Sequence, residues 1–315
     1  MPQNQVQSES ADARLISHDA APNHDMEPLL QSVRERLRGA GDMPGATVAQ
    51  QLELLDQLAE FELGRFLLAN RGLNAYWTHR LVTYAGQDGE AAGMTALERR
   101  VVEQLPAVLA TRERFGVFRR QLQGLLKPGM TLASVPSGWM GELLLLDYAG
   151  QTDISLVGVD LDQSALDGAK ALAGRQGLAD RLTLLCEDAW SVDWRTKVDV
   201  LASNGLNIYE PDDARVTALY RSFHDALRPG GTLVTSFLTP PPTLSAESPW
   251  KMAELDPAAL ALQFLLFVRI IEVKWGAFRT HAQTRAQLEQ AGFADIRFID
   301  DRAGMFPTVV ARKPD

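Results

Sequence analysis

After Gly129 the chain alternates between two kinds of segment, and this alternation narrows its fold more than any other feature. MTLASV, ISLVGVDL, LTLLCED, VDVLAS and TLVTSFL are short apolar runs rich in Val, Leu, Ile and Thr. Helical stretches such as QSALDGAKALAGRQG and DDARVTALYRSFHDALRPG separate them. Near-continuous apolar runs read as strands covered on both faces, and intervening helices supply the crossovers of a parallel sheet. A further helix, TRAQLEQAG, is followed by ADIRFIDD and FPTVVARK, which read as an antiparallel hairpin at the sheet edge. The expected core is α/β: seven strands, mostly parallel, over residues 129–315.

The preceding third has a different period. Leu54, Leu58, Phe61 and Leu68 recur at helical spacing with Arg65 on the same stripe. GLNAYWTHRLVTYA reads as a second helix. Thr95, with Glu98 three residues on as a capping box, opens a third that runs to LLKPG. Residues 27–128 are therefore expected to form a helical cap, and the polar stretch 1–26, with no apolar signal core, a disordered tail. A helical insertion at about 239–278 begins TPPPT and carries an apolar helix after Asp256.

Composition excludes several partners. The 315 residues are 46% hydrophobic and 23% charged, with a formal net charge of −9. Nucleic acid and anionic membranes need clustered Lys and Arg, so small molecules are the expected partners. LALQFLLFVRIIEV carries Arg269 and Glu272 and is too short to span a bilayer. That helix is read as a cavity wall or a homodimer face. The single Cys186 permits no internal disulfide and suits a reducing cytoplasm, the expected location. No His/Cys/Asp cluster has ligand spacing, so no metal is expected.

SVPSGWMG after the first strand, GVDLD after the second, CEDAW after the third, SNGLNIYEPDD after the fourth, LRPGGTLV and QLEQAGF follow one another in the order of a known series. Over about Leu132 to Arg312 they resemble the class I S-adenosylmethionine (SAM) dependent methyltransferases. The resemblance implies a Rossmann-like sheet and SAM as methyl donor or substrate. Ser134, Ser137 and Gly138 would lie along its methionine end. Asp160 would accept from the ribose hydroxyls, Asp188 from the adenine amino group, and the Ala189 amide would face the ring between Leu161 and Trp190. Ser203 would stand beside the sulfonium. Read alone, Asp160 has a lesser reading as a cap of the following helix, Trp190 one as a core or rim aromatic, and LRPGG is a turn in any protein.

The loop departs from that family's pattern. Ser134 stands where an acid is usual, Pro136 where a glycine is, and Trp139 and Met140 where small residues are, while Gly138 and Gly141 remain. A missing acid removes a partner that favours a charged amine. Trp139 adds a ring near a sulfonium, where cation–π attraction contributes about 0.5–2 kcal/mol; its bland alternative is packing against the first helix. The fourth station is polar but uncharged until Glu210. Tyr76 and Trp77 read as a lid pair or as helix-packing aromatics. His79 and His224 are candidate bases, although His224 sits inside a helix and reads as structural.

Two reactions fit these residues. One is methyl transfer to a small amine, hydroxyl or aromatic acceptor. For the other, the GLNAYWT cap, the SVPSGWMGELL loop and SNGLNIYEPDD together resemble the bacterial azetidine-2-carboxylate synthases, which cyclise SAM and release methylthioadenosine. That resemblance implies Tyr76 and Trp139 facing the sulfonium, Ser203, Asn204 and Asn207 orienting the amino-acid end, few carboxylates, and no room for an acceptor. A non-catalytic SAM-binding protein is the third alternative.

Overall fold

The computed structural model describes residues 26–315 apart from 88–89, 193 and 195–196. The expected tail, up to residue 25, lies outside the described residues, and Met26 already opens a helix. Six helices precede the sheet: α1 (Met26–Ala40), α2 (Val48–Ala59), α3 (Glu62–Asn70), α4 (Ala75–Thr83), α5 (Ala96–Gln104) and α6 (Pro106–Leu125). Two of the expected continuous helices are broken. Phe61 is the extended N-cap of α3, at a corner where a Cβ on Gly64 would lie 2.0 Å from the Leu58 carbonyl oxygen. Thr95 caps α5 by accepting from the Glu98 amide at 3.1 Å. That helix then ends because Leu105, preceding Pro106, is extended, and the proline starts α6 at a position that needs no N–H.

The sheet contains β1 (Thr131–Ser134), β2 (Ser155–Asp160), β3 (Leu182–Cys186), β4 (Val198–Ser203), β5 (Leu227–Ser236), β6 (Ala294–Ile299) and β7 (Thr308–Arg312). Their order is β3-β2-β1-β4-β5-β7-β6. The first five strands are parallel, and β7 runs antiparallel to both β5 and β6. The fold is Rossmann-like, that of the class I methyltransferases. Strand order reverses between β1 and β4, which opens a crevice at their carboxyl ends. LRPGG is a bulge inside β5 rather than a turn before it, with the pairing register shifting between Val198 and Val200.

Between strands lie α7 (Gly141–Leu144), α8 (Gln163–Arg175) and α9 (Asp213–Ala226); α10 (Pro257–Gln263) and α11 (His281–Gln290) follow β5. The helix expected after β1 is a single turn. Side chains of α6 hold the chain beyond it in another shape: Gln123 bonds both backbone groups of Asp147, and Arg119 donates to the Leu145 carbonyl.

The segment between β5 and α11 leaves and returns at one place, where Leu238 bridges Phe278. Its α10 continues as a π-helix over Phe264–Ile270. Leu262, Leu266, Phe267, Ile270 and Ile271 are buried in one cluster with Leu37, Leu55, Leu58, Leu67 and Val101 of the cap. Arg36 donates to the carbonyls of Arg269 and Ile270 at 2.8 and 2.6 Å. The inner face of this apolar helix therefore belongs to the cap core, while Phe264 and Val268 remain exposed on the other side. No helix among the described residues is long and apolar enough to cross a membrane.

Cap and sheet domain also meet at Trp139. Its ring lies 4.9 Å from His79 and 5.6 Å from Tyr76, both on α4. Its indole fills a notch on α8, where a Cβ on Gly168 would stand 2.0 Å from Nε1. Trp139 thus packs on the helix after β2, not on the short one that follows it in the chain. Replacing a mid-helix glycine by alanine ordinarily gains up to about 1 kcal/mol. Gly168→Ala should instead lower the melting temperature, with overpacking costing about 1–3 kcal/mol, and Trp139→Ala in the same chain should reverse that loss; differential scanning calorimetry of the two variants and the parent checks it.

Candidate functional site

A cavity of about 1420 Å³ lies over the carboxyl ends of β1 to β4, beneath the cap. Its floor is the loop after β1, the ends of β2 and β3, and the segment after β4. Its roof comes from α3 to α6 with Phe267 and Trp275.

The loop after β1 is a closed turn fastened to β2. The Ser137 amide donates to the Val159 carbonyl at 2.8 Å, and the Gly138 amide to Asp160 Oδ2 at 2.8 Å. The Val135–Pro136 bond is cis, and the Met140 amide donates to the Ser137 carbonyl at 2.6 Å. Met140 occupies the left-handed region (φ 57°), which costs a non-glycine residue about 1–2 kcal/mol. Full burial of its side chain, against Gly158, offsets this by a similar amount. A Cβ on Gly158 would lie 2.7 Å from a Leu184 methyl and 3.3 Å from Met140 Sδ, so a larger residue there would make these side chains shift.

On the β2 and β3 side, Asp160 Oδ1 also accepts from the Asp162 amide at 3.0 Å. Leu161 is exposed in the wall, and Asp188 accepts from the Trp190 amide at 3.0 Å. The Trp190 indole donates to the Arg215 carbonyl at 3.1 Å, and the Arg215 guanidinium lies 5.2 Å from its ring centroid. One face of Trp190 is therefore covered by a cation.

Ser137, Gly138, Trp139, Asp160, Leu161, Asp188, Ala189, Trp190 and Asn204 line this one cavity. Tyr76, Ser134, Ser203 and Asn207 are not in its wall. On α4 the wall takes Ala75, Thr78, His79, Leu81 and Val82, an arc of the helix that leaves Tyr76 outside it. Its hydroxyl accepts from Arg80 and its ring packs edge-on to Trp139, while Trp77 is buried in the cap core. Asn207 is buried, and its amide donates to the Tyr220 hydroxyl and the Ser236 carbonyl, each at 2.8 Å. Ser203 is buried at the end of β4. Asn204 stays in the wall, with its side-chain oxygen accepting from the Ser236 hydroxyl at 3.0 Å.

The acid missing at Ser134 appears eight residues further on. Glu142, in the first turn of α7, is buried in the cavity wall and accepts from the Ser134 hydroxyl. Burial pushes its pKa up, and the Ser134 bond opposes that only in part. The signal was an acid placed inside an otherwise apolar run, GELLLL. His79 shares this wall; burial and the Arg175 charge lower its pKa to about 4, so the imidazole is neutral near pH 7. His224 packs edge-on to Phe293 on α9 and is not in the wall. Arg279 was also not anticipated. It is buried and holds the fourth station in shape, donating to Asp213 and to the carbonyls of Asn207 and Glu210 at 2.7–3.0 Å. Among the described residues no group of three or more His, Cys, Asp or Glu is arranged to hold a metal.

Residues 137–231 match a family model described as a methyltransferase domain. A solved structure from Bordetella parapertussis, described as a possible exported protein, is 58% identical, covers 98% of this chain and 100% of its own, and superposes with a TM-score of 0.89. A candidate O-methyltransferase from Nostoc punctiforme shares the fold at 15% identity and a TM-score of 0.50, over 82% of this chain and 71% of that one. No curated protein matches the sequence.

A carboxyl group whose folded pKa is raised adds stability below its unfolded pKa and loses it as pH rises through the folded value. The ligand-free protein should therefore weaken across that range above the ordinary Glu pKa. Glu142→Gln should flatten this dependence and melt higher than the parent at neutral and alkaline pH, measured as melting temperature against pH.

Proposed function

We propose that this chain, which belongs to one family with the Bordetella parapertussis protein, binds SAM and cyclises its 3-amino-3-carboxypropyl group to azetidine-2-carboxylate, releasing methylthioadenosine. The observation that carries this reading is a buried acid, Glu142, in the same wall as the uncharged ring pair of Trp139 and His79; the other buried acid there, Glu210, is paired with Arg215 at 2.6 Å. The donor set fits the ligand. Asp160, Leu161, Asp188 and Ala189 would hold the adenosine, and Ser137 and Gly138 bring backbone close to the methionine end.

SAM supplies an activated carbon–sulfur bond: the amine nitrogen bonds to Cγ as that bond breaks, after the ammonium has given up one proton. Glu142 is suited to take that proton, because burial raises its proton affinity and the Ser134 hydroxyl fixes its carboxyl. The neutral His79 keeps a cation away from the sulfonium, and the Trp139 ring would attract it by about 0.5–2 kcal/mol. Asn204, its oxygen engaged by Ser236, would present its amide nitrogen to the amino-acid end. Ser203 and Asn207 would support that wall from behind, and Tyr76 would act through its contact with Trp139.

Methyl transfer is the second reading, and the cavity volume favours it. Sites for one drug-sized ligand run to roughly 300–1,000 Å³. The 1420 Å³ observed leaves space beside SAM, lined by Leu63, Leu67, Val101 and Val108, for an apolar acceptor.

Incubating the protein with SAM alone separates the readings. Methylthioadenosine and azetidine-2-carboxylate above a no-enzyme control, identified by mass spectrometry, are expected. Unchanged SAM would overturn cyclisation; S-adenosylhomocysteine formed with added acceptors would then establish transfer, and binding without consumption a non-catalytic role. Asn204→Ala should slow turnover about tenfold, the worth of one hydrogen bond; an unchanged rate would remove Asn204 from the assignment.

A further inference from the structure

The three histidines among the described residues differ in what holds their rings. His281 Nε2 lies 2.8 Å from Asp300, and His224 has Asp225 3.6 Å from its Nδ1 and packs edge-on to Phe293. His79, on α4, lines the cavity; neither of its ring nitrogens has a hydrogen-bond partner among the described residues, and neither is sealed from solvent. Ligand cavities take their specificity from a few such polar groups set in an apolar wall.

The lie of α4 fixes what this imidazole would meet. The helix runs along the loop after β1: a Cβ on Gly138 would lie 3.7 Å from Ala75 Cβ, and one on Gly141 would lie 3.0 Å from His79 Nδ1 and 3.1 Å from its Cε1. Ala75 and His79 are four residues apart, about one helical turn, so one face of α4 follows the loop across both glycines. The His79 ring also lies 4.9 Å from that of Trp139, tilted by 34°. The cap thus sets a polar side chain on the segment that borders the methionine end in the SAM reading. Arg114, the cation of α6 in the same wall, is turned elsewhere, its guanidinium 4.8 Å from the Phe306 ring centroid and its Nε and Nη1 sealed.

We propose that His79 donates an imidazole N–H to the carboxylate of the ligand's α-amino-acid end. This rests on the SAM reading above. A neutral imidazole keeps one N–H to donate, and burial together with the Arg175 charge holds His79 in that form near pH 7. It therefore binds a carboxylate without placing a second positive charge beside the sulfonium, as a lysine or arginine would. In the cyclisation reading the carboxylate need not move, so a contact from the cap holds it while the amine turns toward Cγ.

Titration calorimetry of the full chain compares S-adenosylhomocysteine with decarboxylated S-adenosylhomocysteine, which keeps the nucleoside, the sulfur and the amine. His79→Phe, which retains a ring against Trp139, should weaken S-adenosylhomocysteine roughly tenfold, as for loss of a hydrogen bond to a charged group, and leave the decarboxylated compound within about twofold. His79→Gln, which keeps a side-chain N–H, should recover part of the loss. In the wild-type chain, isotope-labelled on its histidine ring nitrogens, the magnetic resonance signal missing from both variants should settle to one tautomer with S-adenosylhomocysteine and not with the decarboxylated compound. Unchanged S-adenosylhomocysteine affinity in His79→Phe overturns the proposal, as does equal weakening of both ligands or a tautomer mixture that S-adenosylhomocysteine leaves unaltered. If wild type binds neither compound, the SAM reading itself has failed; if it binds both and the His79 effects are missing, that reading survives and the carboxylate contact does not.

Discussion

The roof of the cavity depends on apolar burial between segments far apart in the chain. Leu262, Leu266, Phe267, Ile270 and Ile271 enter the same core as the helices that precede β1. Each such side chain contributes about 1.5–3 kcal/mol when fully removed from water. Without them the cap would expose one side of its core, and Phe267 and Trp275 would be missing from the roof. Two backbone connections therefore join cap to sheet, one entering β1 from α6 and one leaving β5. Trp139, seated on Gly168 and touched by α4, is a third junction, made of side chains.

A covered cavity changes what its charges can do. Water exclusion strengthens electrostatic interactions, so a few groups suffice to orient a charged ligand. The wall near α7 combines neutral rings with Glu142, and α6 adds Arg114. The floor at β2 and β3 is a different surface, with Asp160, Asp162, Glu187 and Asp188 and exposed Leu161. The cavity thus has a carboxylate-rich floor at the ends of β2 and β3 and a wall near α7 where buried Glu142 shares the lining with neutral rings.

Much of the sheet was legible because strand signals are local. Runs such as VDVLAS and TLVTSFL carry their burial in their own composition, and they became β4 and β5. The floor residues at the strand ends were legible for the same reason, since a strand end followed by an acid fixes both place and direction. Helix breaks were less legible: Pro106 announces itself, but the corner at Phe61 is set by the packing of Gly64 on Leu58. Side-chain direction on α4 was hidden as well, because Tyr76 and His79 are three residues apart and only the roof contact decides which faces inward. Glu142, Arg114 and Arg279 escaped because their meaning is relational. Each is an ordinary charged residue until the fold supplies or withholds its partner.

The split origin of the cap also has a consequence for synthesis on the ribosome. Its six leading helices are complete by Leu125, but Leu262, the first of the side chains that close their core, follows about 140 residues later. At translation rates of roughly 5–20 residues per second, that interval lasts roughly 7–28 s. During it the nascent helices present an unfinished apolar surface while the sheet is being made. The order of translation therefore leaves the cap among the last parts to become stable, after the strands from which its closing segment emerges.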